Sequence, residues 1–220
     1  MSVLVEAAVE SLDDALSAVA GGAGRLELCA RLDVGGTTPD LALIECVVRE
    51  ARVPVLAMIR PRGGDFVHSS AELARMHADV RDALRAGAAG VVLGALDATS
   101  RVDVAATASL VRAAGGAPVT FHRAIDDTPD ALEALDALIE LGVARVLTSG
   151  GAPTALDGAE VLAALVQRAG DRVTIVAGGG VRGGNARLVV ERTGVRELHA
   201  RCEGDAARIR AIREAVSSRV

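Results

Sequence analysis

Two hydrophobic rhythms alternate along this chain. Short apolar runs occur at Val3 to Val9, Arg25 to Cys29, Val53 to Ile59, Gly90 to Gly94, Pro118 to His122, Arg145 to Ser149, Arg172 to Ala177 and Arg196 to His199. Longer stretches of helical periodicity separate them. Eight strands alternating with helices predict a closed (β/α)8 TIM barrel, an α/β fold, before an open doubly wound sheet. Apolar residues are spread evenly, and no linker or low-complexity tract interrupts them. The expectation is therefore a single domain over residues 1–220.

Local signals agree with this plan. Ser11, Thr38 before Pro39, Ser70, and Thr128 before Pro129 each offer a hydroxyl where a helix should start. Gly21, Gly87 and Gly142 mark expected helix ends, each shortly before the next strand.

Composition narrows the chemistry. Half of the residues are hydrophobic, but no uncharged apolar window is long enough to cross a bilayer, so no membrane partner is expected. The opening MSVLVEAAV carries Glu6 and lacks a basic leader, which reads as a first strand rather than a signal peptide. Cys29, Cys46 and Cys202 match neither a disulfide framework nor a CxxC pair, which predicts a reducing, cytoplasmic setting. The 24 basic and 29 acidic residues give a net charge of −5. With no basic block and almost no aromatics, a nucleic-acid partner is not expected. All the basic residues are arginine. Schiff-base and pyridoxal-phosphate chemistry needs a lysine amine, so both are excluded for this chain.

The informative polar residues lie at the carboxyl ends of strands, where this fold places its chemistry. Glu6, Glu27, Arg60, His122 with Arg123 after it, and His199 interrupt otherwise apolar runs. Strand alternation puts Glu6 on the face of Ala8, Glu27 with Cys29, Arg60 with Met58, His122 with Thr120 and His199 with Glu197. These residues form the candidate catalytic set, with His122 or a glutamate moving a proton. The apolar run ending in MIRPRGGDF places Arg60 and Arg62 together and predicts an anion. Gly-rich loops add to this: TSGGAP contributes Ser149 and Gly150, and AGGGVR contributes Gly178, Gly179, Gly180 and Arg182. The partner would then be a small phosphorylated or carboxylated metabolite. The alternative is that Glu6, Glu27, Arg60 and Arg123 neutralise one another in an ion-pair layer closing the barrel.

RLELC (Arg25 to Cys29), GGTTP (Gly35 to Pro39), MIRPRGGDF, VTFHRAID (Val119 to Asp126), RVLTSGG (Arg145 to Gly151) and GGGV (Gly178 to Val181) together resemble the CutC family of copper homeostasis proteins across nearly the whole chain. The resemblance implies a TIM barrel, a cytoplasmic location, homo-oligomers and an association with Cu(I) binding. The family's proposed Cu(I) site uses two cysteines, one in E-x-C on the first strand and one in E-L-C on the second. The second is present here as Cys29, the candidate metal ligand, while the first position is Ala8. Adjacent strands lie roughly 4.8 Å apart, so two inward thiolates could clasp a soft ion, but these positions supply one. Cu(I) and a small anionic ligand therefore both stand as expected partners.

Overall fold

In the computed structural model, which describes residues 3–217, eight parallel strands close into a barrel in sequence order. They are β1 (Leu4–Val9), β2 (Arg25–Leu28), β3 (Val55–Met58), β4 (Gly90–Leu93), β5 (Val119–Phe121), β6 (Arg145–Thr148), β7 (Thr174–Ala177) and β8 (Glu197–Arg201). Between and after them run α1 (Leu12–Gly21), α2 (Leu41–Ala51), α3 (Ser70–Arg85), α4 (Val104–Ala113), α5 (Ala131–Glu140), α6 (Ala159–Ala169), α7 (Ala186–Thr193) and α8 (Ala206–Ser217). The (β/α)8 expectation holds strand for strand. Residues 1–2 and 218–220 of the expected domain lie outside the described residues. Among the described residues, no helix is long and apolar enough to cross a membrane.

Helix α5 shows how local sequence sets an element. The Asp130 carboxylate accepts from the Leu132 and Glu133 amides, satisfying two of the donors that a helix start leaves free. Ala134, Leu135 and Leu138 form its buried stripe. Truncating Leu135 or Leu138 to alanine would cost about 2–5 kcal/mol.

Three of the expected caps shift by one or two residues. Ser11 caps α1 as expected. Ser69, rather than Ser70, caps α3, because Glu72 lies three residues beyond it and completes a reciprocal capping box. Thr38 caps nothing: its hydroxyl accepts from the Arg60 amide at 3.0 Å, and α2 begins after Asp40. Thr128 donates to the Ile125 carbonyl, leaving the cap of α5 to Asp130. Gly21 is the last residue of α1, and Gly22 takes the left-handed conformation after it.

Strand side chains divide by parity into two populations. Leu26, Ala57, Val91, Phe121, Val146 and Leu198 face outward into the main core, with Ile44, Val80, Leu110 and Leu135 of the helices. The opposite parity forms a small separate cluster of Ala8, Cys29, Leu56, Met58 and Val92. The remaining inward positions include buried polar groups: Glu6, Arg25, Glu27, Thr120 and, just past the strand ends, Arg60 and His122. A barrel interior of this kind is usually packed with Val, Ile and Leu. Here charge replaces much of that packing, and each charge needs a partner or a purpose.

Candidate functional site

A cavity of about 630 Å³ opens at the carboxyl end of the barrel. Glu27, Met58, Arg60, His122 and His199 line it, and Arg123, Arg182 and the Gly179–Gly180 backbone contribute to the rest of its wall. All of the candidate catalytic set but Glu6 reach this cavity. Of the other predicted residues Gly179 and Gly180 line it, whereas Cys29, Arg62, Ser149, Gly150 and Gly178 do not. Glu6 lies deeper, fully buried. Its register opposite Arg25 on one side and His199 on the other explains what it does there.

Glu6 is the centre of a charge network. One carboxylate oxygen accepts from Arg25 Nε, and the other lies 2.8 Å from His199 Nδ1. Arg25 also pairs with Glu197, and Arg145 Nε stands 3.4 Å from the same Glu197 carboxylate. Burial works to raise the Glu6 pKa, but the hydrogen bond and charge of His199 and the charge of Arg25 bring it down to about 2.

Glu27 is placed differently. Its Oε1 accepts from the Cys29 thiol at 3.5 Å and lies 4.0 Å from His199 Nε2. Oε2 is buried and has no partner among the described residues. Burial raises its pKa, the Glu6 charge adding to the rise while His199 pulls against it. Burial alone would lower the pKa of His199, but Glu27 and Glu6 outweigh that and raise it. Glu27 and His199 share the cavity and are the groups available for proton exchange with a ligand.

Past the ends of β3 and β5 the arrangement reverses. Arg60 is only 4% exposed, yet among the described residues no carboxylate lies within ion-pair distance of it. Its guanidinium donates to the carbonyls of Val34 (3.0 Å), Gly36 (3.1 Å) and Gly64 (2.7 Å). It also stacks over Phe66 with Cζ 4.7 Å from the ring centroid. Nε has no partner. Burial and then the neighbouring Arg62 lower its pKa, but a guanidinium remains protonated at any ordinary pH.

His122 stands beside it, tilted against Phe66 at 4.9 Å. The Ala124 amide donates to His122 Nδ1 at 3.2 Å. Burial, then the charge of Arg60, depress the imidazole pKa to about 3, so the ring is neutral. With Nδ1 accepting, the hydrogen-bond network assigns the proton to Nε2, which is buried and unpartnered. In this tautomer His122 presents a hydrogen-bond donor to the cavity. Gly94 makes room for it: a Cβ on that residue would fall 2.4 Å from His122 Cε1.

The ion-pair layer of Glu6, Glu27, Arg60 and Arg123 does not form, because these residues find other partners. Arg123 binds Asp126 at 2.7 Å and Ser149 Oγ at 2.8 Å. Asp126 in turn accepts from the Ser149 and Gly151 amides and from Thr148 Oγ1, pinning the loop after β6. Arg62, grouped with the anion-holding residues on sequence grounds, spends its guanidinium on Glu72 (2.6 Å), Asp65 (2.9 Å) and the Val67 carbonyl (2.9 Å). It does not line the cavity.

Glycine has local packing reasons in these loops. A Cβ on Gly178 would meet Leu147 Cδ1 at 2.7 Å, and one on Gly150 would meet the Gly158 carbonyl at 2.5 Å. Sequence reasoning missed Arg25, although it sits two residues before Glu27 on one strand and so had to share its face. It also missed Asp126 and Gly94, whose roles depend on contacts across the fold.

A Cu(I) ion held by two thiolates does not fit these residues. Ala8 lies across the register from Glu27 and offers no donor. The remaining thiol, Cys29, is buried, and burial together with Glu27 pushes its pKa well above the usual value. A soft-metal site needs the thiolate.

Residues 3–204 match the model of the CutC family. The chain is 46% identical over 203 residues to a CutC protein of Xanthomonas campestris pv. campestris, covering 92% of this chain and 85% of the relative. It is 43% identical to the copper homeostasis protein cutC homolog of Mus musculus, covering 89% and 72% of the two chains. A crystal structure of the CutC protein from Streptococcus agalactiae superposes with a TM-score of 0.86 at 34% identity, covering 94% of this chain and 99% of that one.

Proposed function

The chain belongs to the CutC family, and from that premise we propose that it serves copper homeostasis through its mouth cavity, which binds a small carboxylated or phosphorylated molecule. The observation that carries this reading is Arg60. A buried cation without an ion-pair partner is costly; the carbonyl dipoles solvate the guanidinium, and the Asp127 and Asp65 charges act on it only from beyond ion-pair distance. An anion in the cavity would supply the missing charge, and attraction is strong where water is scarce. The unpartnered His122 Nε2–H supports the same ligand as a directional donor. Arg123, held in place by Asp126 and Ser149, and Arg182 add positive potential to the cavity wall. The three free cysteines suit the cytoplasmic setting of this reading, to which the expected homo-oligomer also belongs.

The test is a thermal-shift screen of carboxylated and phosphorylated metabolites, followed by calorimetry on any hit. Arg60→Ala should weaken a genuine ligand by about tenfold or more, the range for a lost charge-assisted hydrogen bond. If no such compound stabilises the wild-type protein, the anion reading fails.

Direct Cu(I) binding is a second reading, favoured by one observation: Met58 packs in the same inner cluster as Cys29, placing a thioether beside the thiol. Titration with Cu(I) against a competing chelator separates the two readings. Tight stoichiometric binding that disappears in Cys29→Ala would favour copper at this cluster, and its absence would leave the anion cavity as the working site.

A further inference from the structure

The wall of the cavity at β2 and β8 offers a different kind of site. Glu6, Glu27 and His199 each present a donor atom within 4.8 Å of the others. They form a buried carboxylate–imidazole cluster rather than a solvated acidic patch, since Glu6 is 0% and Glu27 3% exposed. Glu27 supplies an independent pointer: its Oε2 is buried and unpartnered among the described residues, whereas most buried side-chain polar atoms in proteins find a partner. Arg25, the neighbouring guanidinium, is committed to Glu6 and Glu197.

We infer that Glu27 and His199 bind a divalent first-row metal ion at the cavity wall, with Glu6 positioning the imidazole. Glu6 holds His199 through Nδ1, which turns Nε2 toward Glu27. A carboxylate gripping the far nitrogen of a metal-bound histidine is the usual second-sphere arrangement for such ions. Glu27 Oε1 and His199 Nε2 face each other across 4.0 Å, too far for a hydrogen bond. Two donor atoms on one metal with bonds near 2.0–2.2 Å stand roughly 3–4 Å apart, so a small closing movement brings both onto one ion. The remaining coordination positions open to the cavity. Oxygen and nitrogen donors suit Zn²⁺, Mn²⁺ or Cu²⁺ rather than Cu(I). The soft-donor pair is incomplete in this chain, whereas the harder set is intact.

This site does not depend on the anion reading, and the experiment separates them. Metal-free protein is titrated calorimetrically with Zn²⁺ and with Mn²⁺, without any carboxylate or phosphate ligand. Stoichiometric binding is expected, about tenfold or more weaker in Glu27→Gln and in His199→Ala. Circular dichroism establishes that each variant is folded. Glu27→Gln keeps the side chain's shape and serves should His199→Ala fail to fold. X-ray absorption of the zinc-loaded wild type supplies a reading that needs no variant, with nitrogen and oxygen neighbours and no sulfur expected. The inference is overturned by absence of stoichiometric binding in the wild type, by undiminished binding in folded Glu27→Gln, or by sulfur in the zinc shell. Failure of the anion screen would leave it standing.

Discussion

Where β1, β2 and β8 meet, Glu6, Arg25, Glu197 and His199 neutralise one another. Where β3 and β5 end, Arg60 is buried almost as deeply as Arg25, 4% against 3% exposed, but only carbonyls and an aromatic ring receive it. The two guanidiniums occupy one barrel interior and differ in what completes them. Arg25 is completed inside the fold, so its role ends at stability. Arg60 is solvated by dipoles and left with its net charge facing a cavity, which is how a protein keeps a cation ready for a ligand at low reorganisation cost. On the proposed reading, the contrast separates a structural charge from a binding charge without reference to how deeply either is buried.

The largest effect should come from breaking the paired side. Arg25→Met removes the cation and leaves Glu6 and Glu197 without it. Removing one partner of a buried pair typically costs about 3–5 kcal/mol, and denaturant unfolding should show a loss of that order. A loss below about 1 kcal/mol, the level of an exposed pair, would mean that the network is not what holds this side together. The sectors would then not differ as claimed.

Acid should act on the other side. His122 has a pKa near 3 in the fold against an ordinary 6.5, so below the higher value the unfolded chain binds a proton that the folded chain refuses. Its contribution to stability is therefore complete above pH 6.5 and is lost as pH falls toward 3. The slope approaches about 1.4 kcal/mol per pH unit, or on the order of 3 kcal/mol by ~pH 4. Subtracting the pH profile of His122→Gln from that of the wild type isolates this residue from the carboxylates that titrate in the same range. Parallel profiles would show that His122 is not held neutral beside Arg60.

The barrel was legible because its evidence is local and repeated: eight apolar runs, each followed by helical periodicity, with caps within two residues of their expected places. Strand parity was equally readable, and it put Glu27 with Cys29 and Arg60 with Met58 on the inner faces. The pairing of charges was not legible, since parity says which face a residue takes and not which neighbour it finds. Arg60 and Arg123 were grouped with the glutamates by proximity, but the loop carbonyls of Val34, Gly36 and Gly64 and the Asp126 carboxylate took them instead. Those partners lie in loops, whose paths depend on the packed fold rather than on a period in the sequence.

The smallest effect tests the finest distinction, between two arginines separated by one residue. Arg60 and Arg62 looked like a matched pair for an anion, yet the Arg62 side chain is 39% exposed and braces the loop between β3 and α3 through Glu72 and Asp65. Exposed pairs contribute little, so Arg62→Ala should cost about 1 kcal/mol or less in stability. The Glu72 carboxyl that Arg62 meets is held at about 2 first by its hydrogen bonds with Ser69 and then by Arg62. A ligand found for the cavity should keep its affinity in Arg62→Ala and lose it in Arg60→Ala, measured by the same calorimetry. Equal losses in both variants would mean that the anion reaches the loop and that the boundary between brace and binding charge has been drawn one residue too early.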